Sequence, residues 1–209
     1  MNASDRIASA LRARILGGLL APGVQLREVE LAAAHDTSRH TLRAAFRQLE
    51  HAGLVRLVPH RGAFVPRLDA DDVVDHYRLR TAIECEAARV AALDGQSRAG
   101  LEGAFAALCG LPAEAEWATV VEHDLALHRA LVDDAGSPRL SRAFAALEGE
   151  LGLLLADQRR FYVGDRKALV ALHERLVAGL RTTDPDAAAS AVREHLEVSL
   201  AENLATIGG

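Results

Sequence analysis

Cysteine is scarce: Cys85 and Cys109 are the only two in 209 residues. A lone, widely spaced pair is neither a disulfide framework nor a CxxC ligand set, and both fall in helical patterns, so they read as small buried residues with free thiols. Aromatic residues make up only 4% of the chain, while half of it is hydrophobic and rich in alanine and leucine. That balance favours helices over sheets. No apolar run approaches the ~18–20 residues that span a bilayer. Charge at Asp5, Arg6 and Arg12 leaves no apolar stretch for a secretory signal. A soluble, cytoplasmic protein without a membrane partner is expected. HExxH, GxSxG, P-loop and GxGxxG patterns are all missing, which argues against the enzyme classes that depend on them.

Charge is unevenly placed. Residues 1–66 hold nine arginines against five acids, a balance of +4, so the net −5 of the whole chain leaves −9 for the remainder. A basic N-terminal part on an acidic body suggests that only the first part meets a polyanion. Within it, Leu26 to Ala34 reads as a short helix and Ser38 as the N-cap of a second one, with Gly53 just past its end. Leu42, Phe46 and Leu49 make a core stripe. Arg39, Arg43 and Arg47 fall on the neighbouring face. Such a helix suits a DNA major groove, or it is an amphipathic helix with solvated arginines; the spacing is even-handed between them.

The flanking segments tip that balance. Ser4 can cap a first helix carrying Ile7, Leu11 and Ile15, which Gly17-Gly18 ends before a Pro22-Gly23 turn. After the second helix of the pair, Leu54–Val58 and Ala63–Val65 favour strands around the turn Pro59-His60-Arg61-Gly62. The result is a winged helix-turn-helix with His60, Arg61 and Gly62 at the wing tip. These residues resemble the GntR family of bacterial transcription regulators, through Leu20-Ala21-Pro22-Gly23, Leu26, Glu28, Leu31-Ala32, Ser38-Arg39, Leu42-Arg43, Leu49-Glu50, Gly53-Leu54-Val55 and Arg61-Gly62-Ala63-Phe64-Val65. Thr41 and Ala44 depart from the proline and glutamate common in that family, so the operator sequence is not carried over. As base readers we expect Arg39 and Arg43, with His40, Thr41, Arg47, His60 and Arg61 adding phosphate or groove contacts to double-stranded DNA.

A linker over 67–72 separates residues 1–66 from a second domain, 73–209. Helical segments are expected there at Asp71–Leu93, Ser97–Cys109, Ala113–Ala135, Pro138–Tyr162, Gly164–Thr182 and Pro185–Ile207, broken by glycine and proline. Short connections make this an all-α antiparallel bundle. In the third segment, Asp124 and His128 sit four apart among Trp117, Val120, Val121, Leu127 and Leu131, while His123 points away toward solvent. His173 lies in the leucine stripe of the fifth, and His195 lies with Val192 and Ser199 in the sixth. A carboxylate in a core stripe is costly unless it is paired or binds a cation. One Asp and three His suit a divalent metal, zinc first, with nickel or manganese as alternatives.

The bundle looks like the FCD domain, the effector domain of one GntR subfamily, in its shorter six-helix form. Its metal-binding members carry Asp-x3-His in one helix and single histidines in the last two, and the resemblance assigns Asp124, His128, His173 and His195 as ligands. Gly136-Ser137 replaces a common Gly-Asn after the metal helix. A divalent ion with one carboxylate and three neutral imidazoles leaves about one positive charge, which attracts a small organic acid. Arg80 could clamp that acid bidentately or form an i,i+4 surface pair with Glu84. The resemblance favours the clamp, with Arg78 in reserve. The expected protein is a homodimeric DNA-binding regulator whose operator affinity responds to a carboxylate at the metal. A metal-sensing repressor and a metalloenzyme using His173-Glu174 or Asp124 are the alternatives.

Overall fold

The computed structural model describes residues 2–94, 98–162 and 166–207. Helix α1 (Ala3–Leu16) is capped by Asn2, whose side chain accepts from the Asp5 amide while Asp5 accepts from the Asn2 amide. Ser4, the expected cap, lies inside the helix and donates its hydroxyl to Asn2 Oδ1 at 2.8 Å. An asparagine one residue before the helix closes a reciprocal box that a serine inside it cannot.

Leu26 also departs from expectation. It pairs in the short strand β1 (Gln25–Leu26), and helix α2 starts only at Glu28 and runs to Ala34. Helix α3 (Arg39–His51) follows, its first turn closed by Ser38 Oγ accepting from the Thr41 amide at 3.1 Å. Gly53 leaves it with φ +73°, a left-handed backbone that suits glycine. Strands β2 (Arg56–Val58) and β3 (Gly62–Phe64) form the wing, and β1 joins them in an antiparallel sheet ordered β1-β3-β2. Leu42, Phe46 and Leu49 are buried as expected.

Helix α4 (Ala70–Leu93) opens the bundle with a capping box between Asp69 and Asp72. Helices α5 (Ala99–Cys109), α6 (Trp117–Asp133), α7 (Pro138–Ala145), α8 (Glu148–Asp157), α9 (Arg159–Tyr162), α10 (Arg166–Gly179) and α11 (Pro185–Ile207) complete it. The single helix expected over 138–162 is thus three pieces, and 113–116 is not helical. The expected starts at Ser97 and Gly164 lie outside the described residues. Cys85 is buried as expected, but Cys109 is exposed.

Helix α4 packs along α11, with α6 and α10 closing the core. The winged domain rests on this bundle through α1, which packs on α6 and α8. Leu16 and Leu54 sit against Gly152, where an added Cβ would come within 2.9 Å of the Leu16 side chain. Arg12 and Glu122 form an exposed ion pair across the same seam at 3.6 Å.

Candidate metal centre and nucleic-acid interface

At the nucleic-acid end, Arg39, His40, Arg43 and Arg47 project from α3 and are exposed, as are His60 and Arg61 on the wing. A cleft of about 550 Å³ lies between α3 and the wing, lined by Arg43, Arg47, Val58, Pro59, His60 and Gly62 among others. Gly62 holds φ +95°, which closes the wing turn. Thr41 is half-buried, and its hydroxyl lies 2.9 Å from Ser38 Oγ, so part of its bonding capacity is spent on the cap.

Two residues with a place in this surface were given no contact role by the sequence, although Glu28 stands in the family pattern. Glu28, at the start of α2, receives the Arg43 Nε at 3.0 Å from both carboxylate oxygens, which aims the guanidinium along the helix pair. Gln25 donates its side-chain amide to the Arg61 carbonyl at 2.7 Å and so holds the wing tip from the neighbouring strand. The Gln25 contact is not visible without knowing that β1 exists, and the Glu28–Arg43 pair joins residues on two separate helices.

Inside the bundle, the structure brings Asp124, His128, His173 and His195 together, each less than 5% exposed. One ring nitrogen from each of the three histidines lies within 4.8 Å of the others. His173 Nδ1 donates to the Leu169 carbonyl at 2.9 Å, so its Nε2 turns inward, 3.0 Å from Asp124 Oδ1. That contact is close but poorly aligned, and His173 Nε2 has no hydrogen-bond partner of good geometry among the described residues; nor do Asp124 Oδ2 and His195 Nδ1. His195 Nε2 faces His128 Nε2 at 3.3 Å, and Asp124 Oδ2 lies 3.8 Å from His128 Nε2. His123, by contrast, is half-buried against its own helix, with Nδ1 donating to the Thr119 carbonyl.

The electrostatics agree with this geometry. Burial alone would raise the Asp124 pKa, yet the neighbouring His173 and His128 hold it below the usual carboxylate range. Burial alone would lower His173, but Asp124 and the bond to Leu169 leave it raised. Burial, with His173, His128, Arg80 and Arg175 adding to it, drives His195 well below its ordinary value. Orphaned inward-facing lone pairs on borderline-soft nitrogen and a carboxylate fit a transition-metal dication.

Arg80 is 1% exposed and Glu84 is 0% exposed. The i,i+4 pair therefore exists, Nε to Oε1 at 2.8 Å, but in the core and not on the surface. Arg80 Nη2 stands 3.3 and 3.4 Å from the two nitrogens of His128. Its guanidinium also stacks on Tyr77, 4.9 Å from the ring centroid. Arg78 is exposed beside Asp75 and faces away. Glu84 was passed over as a surface partner. The buried spacing Tyr77, Arg80, Glu84, Ala87, Ala88, Ala91 on one helix was the available signal.

Comparison with known proteins adds two family matches. Residues 75–198 match the FCD domain, and residues 3–65 match the bacterial regulatory proteins of the gntR family. A protein of Paenarthrobacter nicotinovorans, named as a D-xylose utilization operon transcriptional repressor, is 31% identical over 93% of this chain and 86% of its own length. Among solved structures, a GntR transcriptional regulator from Rhodococcus sp. RHA1 superimposes with a TM-score of 0.78 at 25% identity, covering 98% of this chain and 99% of that one. Escherichia coli McbR/YncC shares the fold, with a TM-score of 0.74 at 17% identity over 96% of each chain.

Proposed function

Since this chain belongs to the GntR family of bacterial regulatory proteins and carries an FCD domain, we propose that its operator binding is governed by a small carboxylate held at a divalent metal inside the bundle. The protein is a DNA-binding transcriptional regulator; the effector, the metal and the dimer are our reading. The observation that carries it is the buried cluster of His128, His173 and His195, with Asp124 3.0 Å from His173 and Arg80 3.3 Å from His128.

Those four residues would hold the metal, zinc before nickel or manganese, which when bound supplies a Lewis-acidic centre for an anionic oxygen. The protein's own groups then do the sorting. His173 is oriented by the Leu169 carbonyl, and the Arg80 guanidinium offers a second, charged hydrogen-bonding surface for a carboxylate. Burial strengthens each of these contacts by removing competing water. Residues 1–66 form the DNA-binding part and 73–209 the effector part; of the expected linker 67–72, residues 70–72 are already the first turn of α4. Arg39 and Arg43 read bases, while His40, Thr41, Arg47, His60, Arg61 and Gly62 position the backbone. One winged module covers few base pairs, so a homodimer on a near-palindromic operator is expected.

The relative named for a D-xylose utilization operon makes that sugar and its acid derivatives the first effectors to test. The test is metal analysis of purified protein, followed by thermal shift and operator binding with carboxylates, each with and without added zinc. A stoichiometric metal, and a carboxylate response that needs it, support the reading. Operator binding that follows the metal alone would instead make the ion the signal, and failure to hold any divalent metal would sink the reading.

A further inference from the structure

Glu84 has no part in the reading above, yet it is the most deeply buried carboxylate in the described residues, at 0% exposure. Its two oxygens are divided between two partners. Oε1 accepts from Arg80 Nε at 2.8 Å, and Oε2 meets His128 Nδ1 at 2.7 Å. A carboxylate only accepts, so this contact puts the His128 proton on Nδ1 and leaves the lone pair on Nε2. His128 Nε2 is the nitrogen that faces His195 and Asp124.

The placement follows from two helices. Arg80 and Glu84 are one turn apart on α4, so both reach the same side, and His128 comes from α6 packed against it. A salt bridge alone does not account for the buried geometry. Arg80 and Glu84 could pair with both oxygens toward the guanidinium, but here one oxygen is turned to the imidazole.

We propose that Glu84 is a positioning residue for the metal centre: it locks His128 in the tautomer that offers Nε2 and ties that ligand to Arg80. This rests on the metal reading of Asp124, His128, His173 and His195. A carboxylate behind a ligating imidazole fixes the ring and makes it a better donor, and losing such a partner typically weakens metal affinity by about 10–100-fold. Because the same carboxylate holds Arg80, movement of the arginine toward a ligand is felt directly at His128.

The experiment uses the full chain, stripped of metal, with zinc as the probe. Zinc affinity is measured by competition with a chromogenic chelator for wild type, Glu84→Gln and Glu84→Ala. The His128 tautomer is read in parallel from long-range proton–nitrogen NMR of the metal-free protein. We expect Glu84→Ala to bind zinc about 10–100-fold more weakly and to lose the Nδ1–H tautomer. Glu84→Gln, nearly the same shape and still able to accept one hydrogen bond, should recover part of both. It also serves as the working variant if Glu84→Ala leaves Arg80 unpaired and fails to fold. Wild-type zinc affinity with an unchanged His128 tautomer in Glu84→Gln and in any folded Glu84→Ala overturns the assignment while leaving the metal site standing. A wild-type protein that binds no zinc overturns both.

Discussion

Gly149, in the first turn of α8, lies backbone to backbone against Gly53, the residue that ends the recognition helix. A Cβ placed on Gly149 would come 2.6 Å from the Gly53 Cα and also collide with the Ala52 carbonyl. The residues on either side of Gly149 are held by the helices that carry the buried site. Glu148 pairs with Arg129, next to His128 on α6, and Glu150 pairs with His76, one turn before Arg80 on α4. The first turn of α8 thus touches the helices of the buried histidine cluster on one side and the DNA-binding domain on the other.

Gly149→Ala should therefore push the two domains apart. Overpacking of this kind costs about 1–3 kcal/mol, so the urea midpoint should fall and proteolysis within residues 67–69, just before α4, should speed up. Unchanged values for both would mean that the seam yields freely.

Arg43→Ala should remove a base contact and lower affinity for the operator by about 1–3 kcal/mol, with little change on unrelated DNA. Arg47→Ala should weaken both alike and reduce the salt dependence of binding. Footprinting and salt titrations separate the two. A specific footprint that survives Arg43→Ala at wild-type affinity would contradict its role.

His128→Ala and His173→Ala should each lose the metal and the effector response while operator binding by the metal-free protein persists, because both side chains are buried and the DNA-facing arginines lie on α3. Metal analysis and operator titration with the effector check this. A normal response in both variants would remove the basis for a metal-held effector.

The His76–Glu150 pair predicts a pH effect. The hydrogen bond from His76 lowers the Glu150 pKa from 4.5 against the opposing pull of partial burial. A carboxylate whose folded pKa is depressed stabilises the fold above its unfolded pKa, and that contribution fades as pH falls through the lowered value. His76→Phe should accordingly be less stable than wild type at about pH 6, with the gap narrowing toward about pH 3. Urea midpoints across that range measure it; a gap independent of pH would assign the whole effect to packing.

Local chemistry was enough for much of this molecule. Ser38, Gly53 and the Leu42-Phe46-Leu49 stripe define α3 from short-range spacing, and Pro185 and the pattern after it give α11 from end to end. The four inward polar residues were legible because a helix repeats every 3.6 residues, so a charge in an apolar stripe is visible from sequence. What remained hidden depends on distant partners. Leu26 fits a helical stripe as well as a strand, and only pairing with Ala63 decides between them. The break at Ala146-Leu147 has no glycine or proline to announce it. It is where α8 turns to meet Gly53, with Arg129 and His76 holding its first turn. Arg80 and Glu84 have the same spacing in a surface pair and in a buried one. Sequence placed them on one face of α4; α6 and α11, packed over that face, took the water away and turned the pair toward His128.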